Sequence, residues 1–124
     1  MQSSSRPTAD EVALYAAAMR CSLTSAAQEL SAVPRNQLTR ILQAIAVQHP
    51  QPGELLRDPI EDEAAVKQAF AIADQEAEAS LGEVLKEQMG YCHLFWAEKT
   101  RILKVRFGIE WFSPAQMNPG VLFD

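Results

Sequence analysis

Residues 22–45, SLTSAAQELSAVPRNQLTRILQAI, constrain the fold more than any other part of the chain. Two short apolar patterns with helical spacing lie on either side of Val33 and Pro34. Proline disfavours helical backbone at the residue before it and suits the first turn of a new helix, so one helix must end and another begin here. The sequence therefore predicts two helices joined by a tight turn, at about residues 25–31 and 34–47.

The two helices have the residues that close packing requires. Thr24 or Ser25 can cap the first helix, and Ala26 and Ala27 are small enough for a neighbouring helix to approach. The apolar anchors of the pair are Leu30, Leu38 and Leu42. A preceding helix over about residues 9–20 is predicted by a Thr-x-x-Glu capping box at residues 8–11.

The second helix of the pair begins with polar side chains suited to reading base edges. Arg can bond guanine through two hydrogen bonds, and Asn and Gln can do so with adenine. In a helix-turn-helix, one helix braces the next, whose N-terminal side chains enter the major groove of DNA. We therefore expect a DNA-binding helix-turn-helix with these contact residues: Thr24, Ser25, Arg35, Asn36, Gln37, Thr39, Arg40 and Gln43.

Two runs within residues 11–57 match the pattern of a known DNA-binding domain. ALYAAAMRCSLTSAAQEL corresponds to two bracing helices and LTRILQAI to a recognition helix, and Leu55, Leu56 and Arg57 follow as an apolar pair and a basic residue. This pattern resembles the winged helix-turn-helix of LysR-type transcription regulators, and the resemblance implies a transcription regulator. The connection from Leu30 to Leu38 is one residue longer than in that family, and no wing hairpin follows. The resemblance thus implies a shared helix-turn-helix, not the whole architecture.

The longest helical pattern in the chain runs from about Asp58 or Glu61 to Met89. An acidic start suits the helix dipole, and Gly82 is a point at which the helix can break. The apolar stripe of this pattern comprises Val66, Phe70, Ala73, Ala77, Leu81, Val84 and Leu85. A helix of this length spans about 40 Å, more than a small core needs. The stripe fits the chain's own core or a dimer seam, and we expect a homodimer through residues 61–89.

Beyond residue 90 the composition becomes aromatic and β-branched. YCHLFW and RILKVRF, separated by AEKT, fit a β-hairpin with a four-residue loop, in which Leu103, Val105 and Phe107 face the core. The alternative is a helix that continues through Trp96 to Leu103. Ser-Pro at residues 113 and 114 predicts a short helical turn, and an apolar tail follows that we expect to be docked.

The predicted fold is mainly α with a small C-terminal β-hairpin (α+β). An N-terminal helix-turn-helix region, residues 1–57, is followed by residues 58–124, which hold a long acidic helix and the hairpin. The two regions form one compact unit in this prediction, because 124 residues suffice for one packed core.

Several classes of function receive little support. The two cysteines, Cys21 and Cys92, and the two histidines lack the spacing of a metal site, so we expect free thiols, no metal and no cofactor. Glu98 and Glu110 lack the surrounding residues of a catalytic pair, and no enzyme is expected. No apolar run approaches the roughly 18 residues of a membrane span. The start of the chain lacks a signal-peptide core, so we expect a cytoplasmic protein without a membrane partner.

The charge distribution leaves two functions open. The net charge of −5 opposes general attraction to phosphate, although residues 1–50 carry four Arg against three acidic residues. The first hypothesis is a small, dimeric, sequence-specific transcription regulator that binds duplex DNA. The alternative is an acidic protein-interaction module, such as an adaptor, chaperone or inhibitor, that binds a protein partner and no DNA.

Overall fold

Three helices form the amino-terminal part of the chain in a computed structural model that describes residues 6–123, apart from the side chain of Val84. They are α1 (Ala9–Met19), α2 (Leu23–Leu30) and α3 (Arg35–Gln48). The capping box of Thr8 and Glu11 and the break before α3 are confirmed. The predicted cap at Thr24 or Ser25 is wrong. Ser22 caps α2 instead, since its Oγ accepts from the Ser25 backbone nitrogen at 3.0 Å.

The predicted helix over residues 61–89 is a shorter helix flanked by turns. Two 3₁₀ turns, Pro59–Asp62 and Ala64–Val66, precede α4 (Lys67–Leu81), and a third, Val84–Glu87, follows it. The predicted break at Gly82 is confirmed, and its φ of 81° is a conformation that glycine adopts without strain. The predicted start of this helix at Asp58 or Glu61 is wrong, because Asp58 and Pro59 begin a separate turn and α4 begins only at Lys67.

The predicted C-terminal β-hairpin is also wrong. Residues 91–107 form one helix, α5 (Tyr91–Phe107), and residues 6–123 contain no strand. The AEKT segment, expected as a loop, contains strong helix formers. Ile102 and Leu103 are both buried although they are adjacent, which a strand with one buried face does not allow. Packing of a broad helical face therefore outweighed the strand preference of the individual residues.

Two apolar clusters stabilise the fold. The first joins the three N-terminal helices to the C-terminal segment and includes Tyr15, Ala26, Leu30, Leu38, Ile41, Leu56, Phe112 and Met117. The second lies between α4 and α5 and includes Ala69, Ala73, Ala77, Ile102, Leu103 and Trp111. The three buried alanines let α5 approach α4 closely. Much of the stripe predicted as a dimer seam thus packs within the chain.

The segment after α5 connects the two clusters. Trp111 belongs to the second cluster and the adjacent Phe112 to the first. The short helix predicted from Ser113 and Pro114 is confirmed as α6 (Pro114–Met117), with a capping box. The tail then returns to α5, where the Phe123 ring meets Trp96 edge to face at 5.4 Å between centroids. Of the described helices, none is long and apolar enough to cross a membrane.

Candidate functional site

The residues predicted to contact DNA lie in the first turn of α2 and along α3. The four exposed ones are Thr24, Asn36, Thr39 and Gln43. The four half-buried ones are Ser25, Arg35, Gln37 and Arg40. The structure therefore divides the α3 residues between an exposed face and a face that is turned toward the rest of the chain.

Arg35 is held by the amino-terminal helix. Its Nη1 donates to Glu11 Oε2 at 2.7 Å, and its Nη2 donates to the backbone carbonyl of Arg6 at 2.7 Å. The Arg35 hydrogen bond, followed by the bond from the Thr8 backbone nitrogen, lowers the pKa of Glu11. The guanidinium is thus already neutralised by a carboxylate of the same chain.

Arg40 is held more tightly, by Asp58 and Glu110. Its Nη1 lies 2.7 Å from both carboxylate oxygens of Asp58, whose side chain is fully buried. Nη2 donates to Glu110 Oε1 at 3.3 Å, and the guanidinium lies over the Phe112 ring, 5.2 Å from its centroid. Arg40 therefore joins α3 to the turn before α4, through Asp58, and to the segment after α5, through Glu110.

Two further polar residues of α3 also bond to the C-terminal segment. Asn36 Nδ2 donates to Glu110 Oε2 at 3.0 Å, and Gln37 Nε2 donates to the Gln116 carbonyl at 2.7 Å. Thr39 donates to the backbone carbonyl one turn earlier in its own helix. Four of the eight predicted contact residues thus use side-chain donors to hold the fold.

Asp58 is the residue of this site that the sequence did not single out. Besides Arg40, its carboxylate accepts from the Phe112 backbone nitrogen at 2.8 Å and from the Ile60 backbone nitrogen at 3.0 Å. The Asp-Pro pair at residues 58 and 59 signals a capped turn, and that cap is present. The sequence around Asp58 does not indicate its bonds to Arg40 and Phe112, because these partners lie 18 and 54 residues away.

A cavity of about 210 Å³ lies between α1, α2 and the C-terminal segment. Tyr15 Oη donates to Glu29 Oε1 there at 2.8 Å. Burial, and then this bond, raises the pKa of Tyr15. Burial and the nearby Glu29 also raise the pKa of the Cys21 thiol, which disfavours the reactive thiolate. No group of three His, Cys, Asp or Glu that could hold a metal occurs among the described residues.

A second surface lies along an exposed side of α5. Leu94 is 46% exposed and Val105 is 75% exposed, and the two lie 11 positions apart. Between them, Glu98 and Arg101 form a two-bond ion pair with both distances 2.9 Å. We call Leu94, Glu98, Arg101 and Val105 the outer stripe of α5. Sequence analysis missed this stripe because it assigned these residues to a hairpin.

Comparison of the chain with protein-family models, with curated proteins and with solved structures finds no match. The likeness of residues 11–57 to LysR-type regulators therefore stays a sequence resemblance. The chain therefore has two candidate surfaces for function: the amino-terminal half of α3 and the outer stripe of α5.

Proposed function

We propose that this chain is a protein-interaction module and that the outer stripe of α5 is its contact surface. The observation that carries the proposal is the exposure of Leu94 and Val105 on one side of a helix whose other side is buried against α4. Apolar side chains that recur at helical spacing on an exposed helix face can anchor a partner. Arg101, whose side chain is 58% exposed, adds a polar contact between them.

The state of α3 supports the same proposal. Phosphate contacts from Lys and Arg supply nearly all of the non-specific affinity of a protein for DNA. Arg35 and Arg40 are both paired with carboxylates, and the Glu110 side chain, 53% exposed, adds negative charge beside them. DNA phosphates would have to displace these carboxylates from the arginines or lie close to their negative charge, and both weaken binding. This arrangement favours the hypothesis of an acidic protein-interaction module over that of a regulator.

Site-specific photocrosslinking tests the proposed contact surface. A photoreactive residue at Val105 in the full chain, activated in cells that produce it, is expected to yield adducts with protein. The same residue at Ala71, on the exposed side of α4, is the matched control and should yield few adducts. Equal yields at the two positions, or none at either, would count against the proposal.

DNA binding through α3 is the second candidate function. The observation that favours it is the common exposure of Asn36, Thr39 and Gln43 on the outer face of that helix. Amide side chains such as Asn and Gln can recognise adenine. If α3 binds duplex DNA, it would do so through this face. The chain would then act as a transcription regulator.

A fluorescence-anisotropy titration with mixed-sequence duplex DNA separates the two candidates. For a protein-interaction module we expect no saturable binding, even at low salt. Binding that weakens steeply with salt, and that Gln43→Glu abolishes, would favour the DNA-binding candidate instead. Gln43 suits this test because it is exposed, so its replacement should leave the fold intact.

A further inference from the structure

The outer stripe of α5 has the spacing of a helix–helix seam. Its residues follow one another at intervals of four, three and four positions, from Leu94 through Glu98 and Arg101 to Val105. Alternating intervals of three and four residues place side chains along one line of a helix, as in a coiled coil. The stripe therefore has the shape of a surface to which another helix can pack lengthwise.

The stripe is complementary to a second copy of itself that runs in the opposite direction. Read from either end, it runs from an apolar residue through two opposite charges to another apolar residue. If a second copy of α5 lies antiparallel, with residue 94 opposite residue 105, then Glu98 lies opposite Arg101 of the other copy. A parallel pair in register would instead place Glu98 against Glu98, with a repulsive interaction. The charges thus favour an antiparallel over a parallel pair of two copies.

We propose that the outer stripe of α5 pairs with the same stripe of a second copy in an antiparallel, two-fold symmetric contact. The symmetry axis would pass midway between residues 99 and 100, so that each half of the contact repeats the other. Leu94 would meet Val105 at both ends, and the two Glu98–Arg101 pairs would form an alternating cluster of four charges at the centre. This inference rests on the proposed function, because it names the partner of that same surface.

The position of Glu98 prepares the central charges for such a contact. Its Oε2 accepts from Ser80 Oγ at 2.9 Å, and its side chain is only 19% exposed, so α4 holds it in place. Arg101 is bonded to it three residues further along the same helix face. A charge pair that is already ordered loses less side-chain freedom when a partner helix docks.

The size of the stripe sets the expected strength of the pairing. An α-helix of 17 residues is about 25 Å long, and one such contact buries less than the roughly 1,200 Å² of a standard interface. We therefore expect a reversible dimer with a dissociation constant in the micromolar range.

Charge exchange gives a sharp test with the purified full chain in sedimentation equilibrium. Glu98→Arg alone and Arg101→Glu alone should each weaken self-association at least tenfold, because like charges then face each other. An equimolar mixture of the two variants should restore association, since the introduced arginine of one variant then faces the introduced glutamate of the other. Gln75→Glu, on the exposed side of α4, is the matched control and should leave association unchanged.

Each alternative outcome overturns the inference. A wild-type chain that stays monomeric well above micromolar concentration contradicts it, as do single variants that still dimerise or a mixture that does not associate. Circular dichroism of each variant guards against unfolding, and Val105→Glu, at a highly exposed position, provides a second disrupting variant. If the chain is monomeric but photoreactive Val105 captures a different protein, the proposed function holds and this inference alone fails.

Discussion

Helices α3 and α5 both expose charged and polar residues, but Arg40 and Arg101 bond in opposite ways. Arg40 of α3 bonds to Asp58 and Glu110, which lie 18 and 70 residues away. Arg101 of α5 bonds to Glu98, three residues away on the same helix. Arginines with distant partners join parts of the fold, whereas a local pair leaves its helix face open. For these two arginines, a partner far away in the sequence goes with a role in the fold, and a partner on the same helix goes with an exposed surface.

The largest expected effect is at the long-range charge of α3. Asp58→Ala removes the buried acceptor of Arg40 and of two backbone nitrogens and leaves Arg40 with only the exposed Glu110 as a partner; breaking a buried pair in this way costs about 3–5 kcal/mol. Urea denaturation should show this loss in the free energy of unfolding. Asp62→Ala is the matched control in the same turn, because its pair with Arg57 is exposed and should contribute about 0–1 kcal/mol. Equal losses would break the comparison.

An intermediate effect is expected on the inner side of α5. Lys99 pairs with Asp74 at 2.9 Å, and its Nζ lies 4.6 Å from the Trp111 ring centroid, with 12% of the side chain exposed. Lys99→Met should cost about 1–2 kcal/mol in thermal or chemical unfolding. Lys104→Met, on the exposed side of the same helix, should change stability by less than about 0.5 kcal/mol. A larger cost at Lys104 would show that the outer side is structural too.

A smaller effect is expected at the edge of α3. Glu11→Gln weakens the pair with Arg35 and should cost about 0.5–1 kcal/mol near neutral pH. Because the pKa of Glu11 is lowered in the folded chain, its contribution is present above the unfolded value of 4.5 and is lost as the pH falls through the folded value. Unfolding curves of wild type and variant should therefore converge in acid. Asp10→Asn, one residue earlier, tests whether any first-turn carboxylate gives the same trend.

The smallest expected effect is a change in the pKa of Glu98, in the local pair of α5, when Ser80 is replaced. The hydrogen bonds from Arg101, and then from Ser80, lower the pKa of Glu98 to about 2. The stabilisation from this ionised carboxylate is present above pH 4.5 and is lost as the pH falls from 4.5 toward 2. NMR titration of the side-chain carboxyl carbon should show the low pKa directly. Ser80→Ala should raise the pKa of Glu98. An unchanged pKa would contradict a contribution from the Ser80 hydrogen bond.

Local signals in the sequence predicted several features correctly. The capping box at Thr8 and Glu11, the break before α3, the stop at Gly82 and the start of α6 at Ser113 and Pro114 all match the structure. Each depends on contacts within a few residues, where backbone sterics and side-chain caps decide the conformation. The composition of the candidate site was equally readable, because six of residues 35–43 are polar whatever the fold: Arg35, Asn36, Gln37, Thr39, Arg40 and Gln43.

Long-range packing decided the rest. The hairpin prediction failed because α4 presents three small buried residues, against which a broad helical face of α5 packs more closely than a single strand face. The role of Arg40 depended on Asp58 and Glu110, whose positions no local pattern specifies. The sequence by itself determined where α1, α3 and α6 begin and where α4 ends, because these are short-range steric and hydrogen-bonding events. Only the tertiary structure decided which polar side chains are bound within the fold, because a charge finds its partner in space and not along the chain.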